Sequence, residues 1–320
     1  MLLACLPAAA QAAPYSSHSQ LYACCTDAET KEAMFREAKD SGAAYIRVDL
    51  QMEDMFSRGR APDWAGPDEV AALSRRFDLP VLAVLVGVPR ENTDCLDITD
   101  WMGSFRCAPV DAAEWGEQAG QVAAHLDGVI DHFQIGNEPD GDWAFFGDAA
   151  DYARMLSAAY DEIHAQAPGA TVVLGPTMRL NSQGASWLDQ VFRTPGTDAA
   201  AKFDVASMHL RGWMTQMTDA MQQRRAFLRG WGRDVPMWIT EHGYSADSAW
   251  QFDPAYRGGE DAQASYLATS LPLLAKAGAA QVFVTLRDGG DAQYAREGIV
   301  GGTGPAYRRK PAWYAVRDAA

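Results

Sequence analysis

Positive charge is the first thing this 320-residue chain is short of. Lys and Arg number 27 against 42 Asp and Glu, a formal net charge of −15. A polyanion such as nucleic acid is therefore an unsuitable partner, because its phosphates would be repelled. The excess acid otherwise reads as a solubilising surface. Long apolar runs are scarce as well. Beyond the first dozen residues nothing approaches the roughly 20 apolar residues of a membrane-spanning helix. Several chemical signatures are missing too. No G-x-G-x-x-G turn follows a strand, no G-x-S-x-G elbow occurs, and H-E-x-x-H is absent. These absences argue against dinucleotide binding, an α/β-hydrolase serine and a zincin metal site. No metal and no cofactor is expected.

Cysteine is sparse and informative. There are five, and the first lies in an apolar leader. Met1 to Ala12 closes on Ala10-Gln11-Ala12, an A-x-A cleavage pattern. It lacks a basic n-region, so a signal peptide cut short at its own start is expected over residues 1–12. Leu2-Leu3-Ala4-Cys5 loosely matches a lipoprotein box, but plain secretion is preferred over lipid anchoring through Cys5. Cys24, Cys25, Cys95 and Cys107 then remain, and four cysteines allow three pairings. Cys95 and Cys107 flank one long loop and are expected to pair. Cys24 and Cys25 are left as a vicinal bridge or two thiols. Without C-x-x-C spacing, zinc is the weaker reading.

What is present is a repeated alternation of strand and helix. The apolar fraction of 48% suits a full core. Strands are expected at Ser17–Cys24, Ala43–Leu50, Val81–Val88, Ile130–Glu138, Thr171–Pro176, Asp204–Leu210, Val235–Glu241 and Gln281–Asp288. Val81–Val88 is almost purely aliphatic, as a strand covered on both faces should be. Helices fall between them. Thr26-Asp27-Ala28-Glu29 reads as a capping box, Asp111 opens a helix to Leu126, and Tyr152, Met155, Leu156, Ala159, Tyr160 and Ile163 form a helical stripe. A last helix spans Pro311–Ala319. Eight such units predict a parallel sheet with right-handed crossovers, closed as a single (β/α)8 TIM barrel over residues 13–320. The open doubly wound sheet is the alternative.

A barrel of this kind carries its site at the C-terminal strand ends. Polar residues gather there: Arg47, sharing a strand face with Tyr45 and Asp49; Asn137 and Glu138; His209; Glu241 and His242; Arg287 and Asp288. Glu138 and Glu241 each close an apolar strand. One carboxylic acid and one carboxylate on facing walls are what glycoside cleavage requires. The acid must hold its proton near neutrality and the nucleophile must stay ionised, which a nearby Arg47 favours. Trp101, Trp143, Phe145, Trp213 and Trp250 on the loops are candidates for stacking on sugar faces.

Asn137-Glu138-Pro139 with Glu241, supported by Ala44-Tyr45-Ile46-Arg47-Val48-Asp49 and Lys310-Pro311-Ala312-Trp313-Tyr314, resembles clan A of the glycoside hydrolases. These are retaining (β/α)8 enzymes, and the likeness is greatest to the cellulase-like and xylosidase-like families 5 and 39. It extends from Ser17 to Ala319. The resemblance implies Glu138 as general acid/base and Glu241 as nucleophile. It implies Asn137 bonding the hydroxyl beside the reacting carbon, Arg47 lying by Glu241, and His209 as the strand-six histidine. Trp143 and Arg287 complete the expected substrate contacts. Two features depart from the pattern: Arg211 stands where a tyrosine is often found, and the eighth strand lacks its usual tryptophan. The expected function is retaining hydrolysis of an oligo- or polysaccharide. A non-catalytic carbohydrate-binding barrel and a transglycosylase using the same site are the alternatives.

Overall fold

The computed structural model describes residues 15–22, 26–95, 106–178, 182–290 and 292–319. The leader, Cys5, Cys24, Cys25 and Trp101 lie outside the described residues. Eight strands form one parallel sheet: β1 Tyr15–Tyr22, β2 Ile46–Gln51, β3 Val81–Val86, β4 His132–Ile135, β5 Thr171–Val173, β6 Ala206–His209, β7 Met237–His242 and β8 Gln281–Thr285. Their order, β5-β4-β3-β2-β1-β8-β7-β6, leaves only β5 and β6 to be joined. Val173 bridges Val205, and the Leu174 N–H donates to the Val205 carbonyl at 2.9 Å, closing the barrel.

The helices α1 Ala28–Asp40, α2 Ala65–Phe77, α3 Ala112–Leu126, α4 Ala149–Gln166, α5 Ser182–Arg193, α6 Met214–Gly230, α7 Glu260–Lys276 and α8 Pro311–Ala319 cover the outside. Their starts follow local chemistry. Asp27, rather than Thr26, caps α1 by accepting from the Thr30 N–H. Asp111 caps α3 by accepting from Ala113 and Glu114. Asp148 and Asp151 form a reciprocal capping box on α4. Most of the core lies between strands and helices, where Ile46, Val48, Leu85, Phe133, Ile135, Met208 and Ile239 are buried. A second, smaller cluster fills the barrel interior: Leu82, Val173, Val205, Trp238 and Phe283, with Tyr45 packed against it. The polar mouth residues stand on this apolar floor.

Several strands are shorter than the sequence pattern predicts. β4 stops at Ile135 and β8 at Thr285, so Glu138, Arg287 and Asp288 sit on the connections beyond them. Gly136 ends β4 with φ +71°, a conformation that costs glycine little, and the chain leaves the ladder there.

Cys95 and Cys107 are bonded to each other, with Cα atoms 6.0 Å apart. The bridge pins the loop between β3 and α3. Closing a loop of this length should contribute about 3 kcal/mol. Cys107→Ser is expected to lower unfolding free energy by that amount in urea titration. An unchanged midpoint would show that the loop is held by its packing alone. Among the described residues no helix is long and apolar enough to cross a membrane.

Candidate active site

The mouth of the barrel gathers side chains from six of its eight strands or the connections after them. Alternation along β7 would put Trp238, Thr240 and His242 inside and Glu241 outside. The pairing prevents this. Met208 pairs with Ile239, yet His209 pairs with Glu241, and a matching irregularity separates Ile239 from His242 on the β8 side. One extra residue on β7 re-aims the side chains after it, as a β-bulge does. Glu241 turns inward to the mouth. His242 turns outward, where Nδ1 meets the Leu210 carbonyl at 2.7 Å and Nε2 meets Ser270 Oγ on α7 at 2.8 Å. Burial pushes the His242 imidazole down to about 4, so it serves packing as a neutral group.

Glu241 is held from several sides. Its Oε1 accepts from Arg47 Nη1 at 3.0 Å, and its Oε2 accepts from Arg211 Nη1 at 3.1 Å. His209 Nε2 and His18 Nε2 lie 3.4 and 3.6 Å from Oε1. Burial works against a charge on this carboxyl. Its neighbours His209, His18, Arg47 and Arg211 override it and hold Glu241 well below the ordinary carboxylate range. His18 is itself driven well below the usual imidazole value, chiefly by burial. It is therefore neutral near pH 7, and the two guanidiniums supply the lasting charge.

Arg47 organises the floor of this cluster. It is 2% exposed. Nη1 also meets His18 Nδ1 at 2.9 Å, Nη2 donates to Asn137 Oδ1 at 2.6 Å, and Nε donates to Gln134 Oε1 at 3.3 Å. Asp49, on the same face of β2, is pushed up to about 6, first by burial and then by the charge of Glu241, with Arg47 opposing.

Glu138 occupies the turn after β4 with φ +46°, an uncommon backbone for a residue with a side chain. Strained positions of this kind cluster at functional sites. The turn is stabilised by the Gly141 N–H donating to the Glu138 carbonyl at 2.9 Å. The side chain is buried and its Oε1 lies 2.6 Å from His209 Nδ1. One ligand-type atom from each of Glu138, His209 and Glu241 lies within 4.8 Å of the other two. By distance alone the trio could hold a cation. Two guanidiniums on the oxygens of Glu241 make it a poor cation site, while an approaching electrophilic carbon faces no such conflict.

The other candidates divide. Arg287 lies beyond β8, where its backbone pairs with Val300. Asp288 accepts from the buried Lys310 Nζ at 2.6 Å, a structural pair. Trp143 is 46% exposed on the loop after Glu138, with Nε1 3.2 Å from Met178 Sδ. Trp213 and Trp250 are exposed on the loops after β6 and β7, whereas Phe145 is buried. Three residues of the cluster are not evident from the sequence pattern. His18 lies in a short polar strand, Glu297 in a glycine-rich loop, and Arg211 only as a mismatch.

Residues 111–282 match the family model of the glycosyl hydrolase catalytic core. No curated protein matches the sequence. Among solved structures, a family 39 glycoside hydrolase from the gut symbiont Bacteroides cellulosilyticus WH2 superposes with TM-score 0.70 at 15% identity, over 97% of this chain and 64% of the other. A GH39 β-xylosidase from Caulobacter crescentus gives 0.69 at 17% identity, over 94% and 70%. A GH5_18 protein from Streptomyces cattleya, in complex with Manb1-4GlcNAc, gives 0.66 at 16% identity, over 96% and 79%. At these identities the likeness is one of fold. This chain spans about two thirds of the first protein's length, 64%.

Proposed function

Because this chain belongs to the glycosyl hydrolase catalytic core family, we propose that it is a retaining glycosidase with Glu138 as acid/base and Glu241 as nucleophile. The supporting observation is the approach of the two carboxylates, with an oxygen of one within 4.8 Å of an oxygen of the other. Retaining enzymes hold the pair at about 5–5.5 Å, whereas inverting ones leave about 6.5–9.5 Å for a water molecule.

In the first step an oxygen of Glu241 attacks the anomeric carbon while Glu138 gives its proton to the departing oxygen. The glycosidic bond breaks and a glycosyl ester forms on Glu241. In the second step Glu138 takes a proton from water, the water oxygen bonds to the anomeric carbon, and the ester bond returns its electrons to Glu241. Glu138 then carries the proton needed for the next cycle. Two guanidiniums beside Glu241 favour the ionised nucleophile at the start and its departure at the end. Asn137, its Oδ1 engaged by Arg47, has its amide nitrogen to offer the hydroxyl beside the reacting carbon. Trp143, Trp213 and Trp250 provide exposed faces for an oligo- or polysaccharide. The A-x-A leader and the Cys95–Cys107 bond support export.

A fluorinated glycoside with a good leaving group tests the covalent step. The peptide containing Glu241 is expected to gain the sugar's mass, and early NMR of product from an ordinary substrate is expected to show the starting anomeric configuration. Inversion, or a label on another residue, would overturn the assignment. A non-catalytic binding barrel would take up no label.

A further inference from the structure

The cation on Oε2 of Glu241 is itself gripped from behind. Arg211 donates Nε to Glu297 Oε1 at 2.8 Å and Nη2 to Glu297 Oε2 at 2.9 Å, a bidentate fork. That leaves Nη1 to reach Glu241 Oε2 at 3.1 Å. Bidentate guanidinium–carboxylate pairs fix direction as well as charge.

Glu297 is prepared for this role. It is 1% exposed, and Thr285 Oγ1 donates to its Oε2 at 2.7 Å. A side chain at Gly243 would come within 2.5 Å of the Glu297 carboxyl carbon, so the glycine makes its space. The loop carrying it is tied down by Gln263 Nε2, which donates to the Glu297 and Tyr244 carbonyls at 2.8 Å each. Lys310 Nζ donates to the Gly298 carbonyl at 2.8 Å. The Tyr294 ring closes over the guanidinium at 5.3 Å. A surface ion pair of average value would not draw on a buried threonine, a required glycine and a buried amide.

We propose that Arg211 and Glu297 are a positioning pair for the nucleophile, in which Glu297 aims Arg211 so that one guanidinium nitrogen fixes Oε2 of Glu241 and sets its charge. The inference rests on Glu241 being the nucleophile. The charged and titratable groups facing Glu241 are His18 from β1, Arg47 and Asp49 from β2, Glu138 after β4, His209 from β6, and Arg211 with Glu297 behind it. Of these only Arg47 and Arg211 bring a permanent positive charge. Burial opposes ionisation of Glu241, and the positive neighbours, Arg211 among them, hold the carboxyl low. Without Arg211 it moves up. A carboxylate of higher basicity is a poorer leaving group, so breakdown of the glycosyl ester slows.

The test compares Arg211→Gln, Arg211→Lys, Glu297→Gln and the Arg211→Gln/Glu297→Gln double variant. In Arg211→Gln the acid limb of the kcat/KM profile is expected to rise by about one pH unit or more. A burst of aryl product should grow as deglycosylation becomes limiting. Arg211→Lys should restore the limb and only part of kcat. Glu297→Gln should lower kcat alone yet add little loss when Arg211 is already gone, because it acts through that residue. An acid limb unchanged in Arg211→Gln overturns the proposal, as does full additivity in the double variant. Carbon-13 titration of the Glu241 carboxyl, assigned with Glu241→Gln, reads the same shift without turnover. If no glycoside is cleaved the glycosidase reading fails, while an upward shift of that titration in Arg211→Gln, or its absence, still decides the positioning pair. Should Arg211→Gln not fold, Arg211→Met, which keeps the apolar stem and removes the charge, is read in its place: a raised acid limb or Glu241 titration supports the proposal, and an unchanged one overturns it.

Discussion

Glu241→Ala is expected to lower kcat on the order of 10⁴–10⁶-fold, the scale seen when a nucleophile is removed from a preorganised site. The substitution also leaves a hole beside Arg47, Arg211, His18 and His209, cationic and hydrogen-bonding groups that lose the carboxylate they held. A small anion such as azide should enter it and attack the anomeric carbon of an activated glycoside from the same face. The product should be a glycosyl azide of inverted configuration, with part of the rate restored. A rate loss below tenfold, or rescue giving only retained product, would remove Glu241 from the nucleophile role.

Glu138→Gln should separate the two halves of the reaction. Without a proton donor, glycosides with poor leaving groups should lose about 10²–10⁴-fold in kcat/KM. Activated dinitrophenyl glycosides need no proton on departure and should lose far less in that parameter. Their kcat should still fall, because the same residue must take the proton from water in the second step. Equal losses on both substrate types would exclude Glu138 as the acid. Azide on Glu138→Ala would meet the glycosyl ester from the leaving-group side and give a retained glycosyl azide, the opposite outcome to that from Glu241→Ala.

The frame of the molecule was legible from local chemistry. Val81–Val86 is aliphatic throughout because both of its faces are covered, and this is visible without any partner strand. The stripe on α4 and the Asp111 cap on α3 are equally local. Acids at two strand ends pointed to the chemistry, since glycoside cleavage needs a pair of carboxyl groups on facing walls. The Cys95–Cys107 bond followed from two cysteines flanking one loop. Boundaries were less visible. β4 and β8 end early because Gly136 breaks one ladder and the backbone of the other turns to pair with Val300, and neither event shows in the hydrophobic pattern.

The sequence by itself determined that this chain builds an eightfold strand–helix alternation with an acid at the end of the fourth and seventh units, because apolar periodicity and capping are properties of short segments. Only the tertiary structure decided which way those acids face and what surrounds them. Glu241 points into the mouth because β7 carries one residue more than its neighbours can pair, a mismatch that exists only between strands. Arg211 became a partner of Glu241 because Glu297, 86 positions away, fixes its guanidinium from a loop with no pattern of its own. Periodicity assigns a side chain to a face, but long-range pairing assigns the face to a site, and charge acts through space rather than along the chain.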